Sequence, residues 1–411
     1  MKNLYKYVFV FYIIVIPNLS EAQWVHAGSP GGNLTIYSFA SAGQNLFAGT
    51  YGGVFLTTNG GSTWTSVNNG FPAIHVYALI FIGSELYAGT FGSGVFRSNN
   101  NGKSWNSLNS GLTNLNILSF VKSGSNLFAG TYGGGVFLST NNGASWTQRN
   151  AGLPSNSQIS ALIMFNTTLF AGTYTDQVFR STNNGLNWTL ANNGLPNSDV
   201  VAFSILGNTL FSASRAFGNS IYKTTDNGIT WIPSNSGLRN DYFCVSLCVE
   251  GSNIFTGSDG VGVYLSTNSG ANWTAVNSGL TDASVLTLSV YGDYLYAGTA
   301  GGIGVWKRPL SEIISIQNIS TIVPNNYRLE QNYPNPFNPV TKIEFSIPKQ
   351  GDVKITVYNS LGKEVASLLD QKLSAGIYNV HFDGTNNSSG VYFYIFEMDD
   401  FVQTKSMVLL K

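Results

Sequence analysis

Between residues 23 and 308 the chain alternates short apolar runs with clusters of Gly, Asn, Ser and Thr, and the alternation repeats. LFAGT at Leu46 returns as LYAGT at Leu86, LFAGT at Leu127 and at Leu169, LFSAS at Leu210, IFTGS at Ile254 and LYAGT at Leu295, spaced 40 to 44 residues apart. The first six copies are followed by Ser/Thr-x-Asn/Asp-x-Gly-x-x-Trp, ending at Trp64, Trp105, Trp146, Trp188, Trp231 and Trp273. A third marker, Asn-x-Gly-Leu/Phe, closes each of those units, from Asn68, Asn109, Asn150, Asn192, Asn235 and Asn277. Each unit parses into four short strands with turn residues at every junction; in the second they fall near 75–82, 86–90, 94–98 and 104–108. Four strands in about 40–45 residues is the period of a propeller blade. A lone four-stranded sheet cannot bury both faces, so the units must stack around an axis.

The seventh unit has only three strands, near 285–290, 294–299 and 303–307, and no closing turn or Trp. Trp24 lies 40 residues before Trp64, in the register of the missing Trp. An N-terminal strand is therefore expected to complete the last blade and remove two sheet edges. After Pro309 the repeat stops. Residues 309–326 read as a linker, and further alternating runs follow at 341–347, 352–358, 378–382, 390–397 and 401–409, an antiparallel sandwich pattern. The expected fold is all-β: a seven-bladed β-propeller over 23–308, then a small Ig-like antiparallel β-sandwich over 327–411.

The Trp-ending turns resemble the Asp-box, or BNR repeat, of sialidases, xyloglucan-cleaving glycosidases, sortilin-like receptors and photosystem-assembly factors. The resemblance implies the propeller fold and leaves function open. Its turn residues here are Asn59, Asn100, Asn141, Asn183, Asp226 and Asn268, each with the Trp five positions on. The Asn or Asp side chain is expected to accept a bond from the backbone two residues on, and the Trp to pack between sheets. With only Asp226 charged, a ring of carboxylates for calcium is excluded.

The C-terminal segment closely resembles the type A sorting domain of the type IX secretion system of Bacteroidetes-like bacteria, through YPNPFNP (Tyr333–Pro339), VYNSLGKEV (Val357–Val365), LSAGIYNVHFDG (Leu373–Gly384), SSGVYFYIF (Ser388–Phe396) and KSMVLLK (Lys405–Lys411). That resemblance implies a partner in the secretion machinery through residues 327–411, and release or attachment at the outer-membrane surface. The competing reading is an adhesive Ig-like module. The N-terminus agrees with export: Lys2 and Lys6, the apolar run 7–16 and Ser20-Glu21-Ala22 read as a signal peptide over 1–22, against a membrane anchor, for which the run is short.

Composition narrows the function classes. Twenty basic and 20 acidic residues cancel, and together they are 10% of the chain. This argues against a nucleic-acid binder. Cys244 and Cys248, four residues apart on a strand, would lie roughly 13 Å apart, beyond disulfide reach; they read as core thiols. His26, His75 and His381 are too scattered to ligate a metal. No metal or cofactor is expected, and the chain is expected to be a monomer.

Catalysis is the weaker reading. The propeller lacks the opening Arg-Ile-Pro of sialidases, and Arg97 and Arg180, equivalent positions before a box, read as outer-strand surface residues. A glycosidase would need two carboxylates about 5–10 Å apart; Asp176 and Asp259, in equivalent turns of different blades, are the best candidates. A binding surface is the stronger idea. Tyr51, Phe91, Tyr132 and Tyr174 each follow the Gly-Thr of one blade and would form an aromatic arc at one rim, suited to a glycan, a peptide or a surface protein. The arc is expected to break at Arg215 and Phe217, at Asp259 and at Ala300. Two plainer readings compete: rings that only cover turn glycines, and an array that serves as a rigid spacer.

Overall fold

The computed structural model describes residues 23–411 apart from 33, 73, 175–177, 217, 219, 314, 315, 321, 322, 374 and 386. The expected signal peptide, Asp176 and Phe217 lie outside the described residues. Residues 23–309 form seven four-stranded antiparallel sheets. Their first strands follow one another around an axis, and that of the seventh sheet adjoins that of the first. The LFAGT-type strand is second in each sheet and buried almost throughout. Its two faces are both covered by neighbouring blades, which is why it lacks the polar–apolar alternation of a half-exposed strand. The fourth strand of each sheet is a two-residue exposed piece, as at Asn106–Ser107.

The seventh blade is closed as its missing strand requires. Val25–His26 pairs with Val305–Pro309, Val25 opposite Lys307 and His26 opposite Trp306. Trp24 then stands where the other blades have their turn Trp. Its indole Nε1 donates to the Val276 carbonyl at 2.6 Å. The other six indoles do the same to the preceding blade: Trp64 to Ala27, Trp105 to Val67, Trp146 to Leu108, Trp188 to Arg149, Trp231 to Ala191 and Trp273 to Ser234, at 2.7–2.8 Å. Each ring also fills the gap between two sheets. Packing is tightest at the Asn-x-Gly turn: a Cβ on Gly111, whose φ is +86°, would stand 2.1 Å from the Trp146 carbonyl oxygen, a contact only Gly permits.

The turns before the Trp are held by side chains. Asn100 Oδ1 accepts from the Ser104 amide and from Ser98 Oγ, both at 2.9 Å, while Ser98 Oγ accepts from the Gly102 amide at 2.8 Å. The bond thus comes from four residues on, where two were expected. The residue after the Asn has positive φ, 56° at Asn101, and this swings the later amide back over the side chain. The carbonyl of that same left-handed residue faces the preceding blade. It accepts Tyr87 Oη at Asn142, Arg180 Nη1 at Asn227, Lys223 Nζ at Ser269 and Lys307 Nζ at Gly60, at 2.7–3.0 Å. Arg180 is therefore an inter-blade tie rather than a surface residue. Arg97 pairs with Glu85 at 3.4 Å.

Cys244 is buried and Cys248 half-buried, both as free thiols, and burial pushes each up to about 11.

The C-terminal unit is a sandwich of two four-stranded sheets. One core lies between them, with Phe345, Val380, Ile355 and Phe396 among its members. Two differences from the sequence reading stand out. Glu364–Leu373 is a strand, paired with Gly351–Asn359. And 309–326 is not a plain linker: Leu310–Ile313 is a helical turn packed on the seventh blade, and Ile316–Ser320 pairs with Gly376–Asp383 of the sandwich. Neither strand carries turn-bounded alternation in sequence; each is fixed by the partner it pairs with.

Two tests probe this frame. Trp231→Phe leaves the Ala191 carbonyl buried and unpaired, and urea unfolding is expected to show a loss of about 1–3 kcal/mol for that group, with the lost ring volume adding to it. Trp64→Phe, at a half-exposed position, should cost less; equal losses would contradict the ordering. The second concerns pH. Burial raises Asp226, but bonds from the Thr230 hydroxyl and amide, the Thr224 hydroxyl and the Ile229 amide outweigh it and hold the carboxyl down to about 2. A depressed pKa contributes stability that is present above the unfolded value near 4 and is lost as pH falls through about 2. Asp226→Asn should therefore melt less steeply than the parent between about pH 4 and pH 2; parallel profiles would refute it.

Candidate ligand-binding rim

The rim opposite the Trp-ending turns is built by one repeated backbone bond. The residue after the second strand donates its amide to the carbonyl just before the first strand of the same blade: Tyr51 to Thr35, Phe91 to His75, Tyr132 to Asn116, Tyr174 to Gln158 and Arg215 to Asp199, at 2.8–3.3 Å. Each blade's first strand also carries a bulge at its start, which leaves Tyr37, Tyr77 and Leu118 as extra residues in the first three blades. A bulge re-aims its side chain, and here it puts Tyr77 and Leu118 beside the residues of the arc.

The four predicted rings do come together. Tyr51, Phe91 and Tyr132 are 55%, 38% and 42% exposed, and Tyr174 is half-buried. Ring centroids run from Tyr51 to His75 at 3.9 Å, His75 to Phe91 at 6.4 Å, Phe91 to Tyr132 at 5.9 Å and Tyr132 to Tyr174 at 6.4 Å. Tyr37 and Tyr77 form a second, inner pair 4.5 Å apart. His75 bridges two blades, a part that its sequence spacing does not suggest. The inner Tyr residues are not legible in the sequence, because a bulge is invisible to a strict period of two.

The arc does not break at Arg215. That residue occupies the arc position of the fifth blade, and its guanidinium lies over the Tyr174 ring, 5.5 Å from the centroid. A planar cation can continue a stack of rings. Beside it is Asp199. Together with Tyr77, Phe91, Tyr132, Tyr174 and Gln158 they line a cavity of about 590 Å³, within the usual size of ligand sites. Burial raises Tyr37, Tyr77 and Tyr174 above the ordinary phenol value, with Arg215 opposing it at Tyr174. All three are hydroxyl donors at neutral pH. Burial likewise raises Asp199, against the pull of Arg215.

Two other features are occupied differently. At the closing seam, on the opposite face, Tyr291, Tyr294, Tyr296 and Lys307 line a cavity of about 570 Å³. Lys307 is already committed there, to Gly60 and to the Tyr294 ring. Asp259 accepts Ser284 Oγ at 2.5 Å, and its proposed partner Asp176 lies outside the described residues. Among the described residues no group of three His, Cys, Asp or Glu could hold a metal ion.

Comparison with known proteins finds a match within each of the two domains. Residues 331–410 match the secretion system C-terminal sorting domain, and residues 86–217 match the DUF6242 beta propeller domain. No curated protein matches. Among solved structures the chain resembles PorZ of Porphyromonas gingivalis, an essential surface component of the type-IX secretion system, with TM-score 0.58 and 15% identity over 93% of this chain and 60% of that one. It also resembles YCF48 from Cyanidioschyzon merolae, with TM-score 0.53 and 14% identity over 70% and 98% of the two chains. A GH74 xyloglucanase from Xanthomonas campestris gives TM-score 0.54 and 14% identity over 79% and 59%. The chain spans about 60% of the length of PorZ. At these identities the likeness is one of fold. The chain is a β-propeller with a secretion sorting domain, and that domain points to export to the cell surface or the extracellular space.

Proposed function

We propose that the chain is a non-catalytic binding module, exported by the type IX secretion system through its C-terminal sorting domain, which holds a glycan along the aromatic rim. The observation that carries this reading is the arc itself: five consecutive blades place a ring or a guanidinium at one backbone position, and the series ends at a cavity of ligand size. Rings that only covered turn glycines would lie flat and buried, whereas Tyr51 and Tyr132 are about half exposed. Aromatic faces stack on the apolar faces of sugar rings, and phenol, amide and carboxylate groups nearby suit their hydroxyls. Among the described residues the rim offers no free strand edge on which a peptide could add a strand.

The test is a glycan array probed with the purified chain and with the Tyr51→Ala/Tyr132→Ala double variant. Two stacking contacts at about 0.5–1.5 kcal/mol each predict roughly a 5- to 150-fold loss of affinity. The melting temperature should stay within a degree or two, since both rings are exposed. Unchanged binding, or release of cleaved sugar from a bound glycan, would contradict the reading.

A further inference from the structure

The arc is not uniform along its length, and its far end carries charge. Four of its positions are aromatic, and the fifth is Arg215. Arg215 is exposed, and its guanidinium forms no hydrogen bond or ion pair among the described residues. The long cations of the propeller's third strands, by contrast, are committed: Arg97 to Glu85, Arg180, Lys223 and Lys307 to carbonyls of the next blade, and Arg308 to the Val276 carbonyl of the blade before. The Tyr174 ring lies on one side of the Arg215 guanidinium, whose N–H groups have no hydrogen-bond partner among the described residues. Asp199 lines the same cavity without pairing to it. Beyond this point the arc positions are Asp259 and Ala300, so neither stacking nor positive charge continues.

We propose that the cavity between Tyr132 and Arg215 receives a carboxylate-bearing sugar, a uronic acid unit of an oligosaccharide. The sugar ring stacks on Tyr132, the carboxylate takes the open edge of the Arg215 guanidinium, and Asp199 and Gln158 meet ring hydroxyls. A bidentate guanidinium–carboxylate contact supplies both strength and a fixed orientation. The stack toward Tyr51 then serves the neighbouring units of the same oligosaccharide. This inference rests on the glycan-binding reading and adds the charge of the ligand to it.

The experiment titrates the purified full chain with tetramers of galacturonate, glucuronate and mannuronate, each beside its methyl ester, and with an acidic hexapeptide of equal charge. At least one uronate is expected to bind about tenfold or more tightly than its ester. Arg215→Gln should abolish that preference, so that acid binds no more tightly than ester, while leaving the melting temperature unchanged. Arg215→Lys should recover only part of it, because an ammonium cannot make the forked contact. Tyr132→Ala should weaken acid and ester alike. Equal binding of acid and ester, lost in Tyr132→Ala, would overturn the acidic ligand and leave the glycan reading intact. Binding of the peptide alone, binding indifferent to both residues, or no binding to any uronate would overturn the inference.

Discussion

Seven indole N–H groups, each donated to a carbonyl of the blade before, are the constraint from which the rest of this molecule follows. A propeller blade is bound to its own strands by backbone bonds, but sheet-to-sheet contact is mostly apolar and has no register of its own. The indole supplies one. Its ring fills the wedge between two sheets and its single donor fixes how far one blade is turned against the next. The ties from Arg180, Lys223, Lys307 and Tyr87 to the left-handed residue of the neighbouring turn act at the same seam. Because Trp24 takes the seventh place, the series has no free end in the ring.

A fixed angle between blades is what allows a rim to be built from separate turns. The amide bond that anchors Tyr51, Phe91, Tyr132, Tyr174 and Arg215 is internal to each blade, so it sets each residue's height and direction but not its distance from the next. That distance is set by the seams. Rings some 6 Å apart in successive blades thus report the precision of the packing beneath them. The division of labour between faces is clear: polar side chains of the Trp-ending turns are consumed in holding turns and seams, whereas the opposite rim keeps exposed rings and a guanidinium with no hydrogen bond or ion pair among the described residues.

How much of this was legible in the sequence depends on whether a feature repeats. The blades, their order and the use of Trp24 could be read because the same residues recur in the same register seven times. Tyr51, Phe91, Tyr132 and Tyr174 were legible for the same reason. In sequence Arg215 reads as the end of the arc because it changes residue type, although its backbone role is the same as that of Tyr174; the stacking equivalence of a guanidinium and a ring is chemical, and a repeat pattern does not show it. Tyr37 and Tyr77 depend on a bulge that shifts the alternation by one. Ile316–Ser320 and Glu364–Leu373 are strands through pairing with distant partners, a non-local effect that no window of sequence contains.

The most direct measurement of the central claim is a crystal structure of the chain with a uronate tetramer bound. The account predicts sugar density stacked on Tyr132, with a carboxylate about 2.7–2.9 Å from the Arg215 guanidinium. Density at the Lys307 seam on the opposite face, or on the C-terminal sandwich, with the rim empty would contradict it.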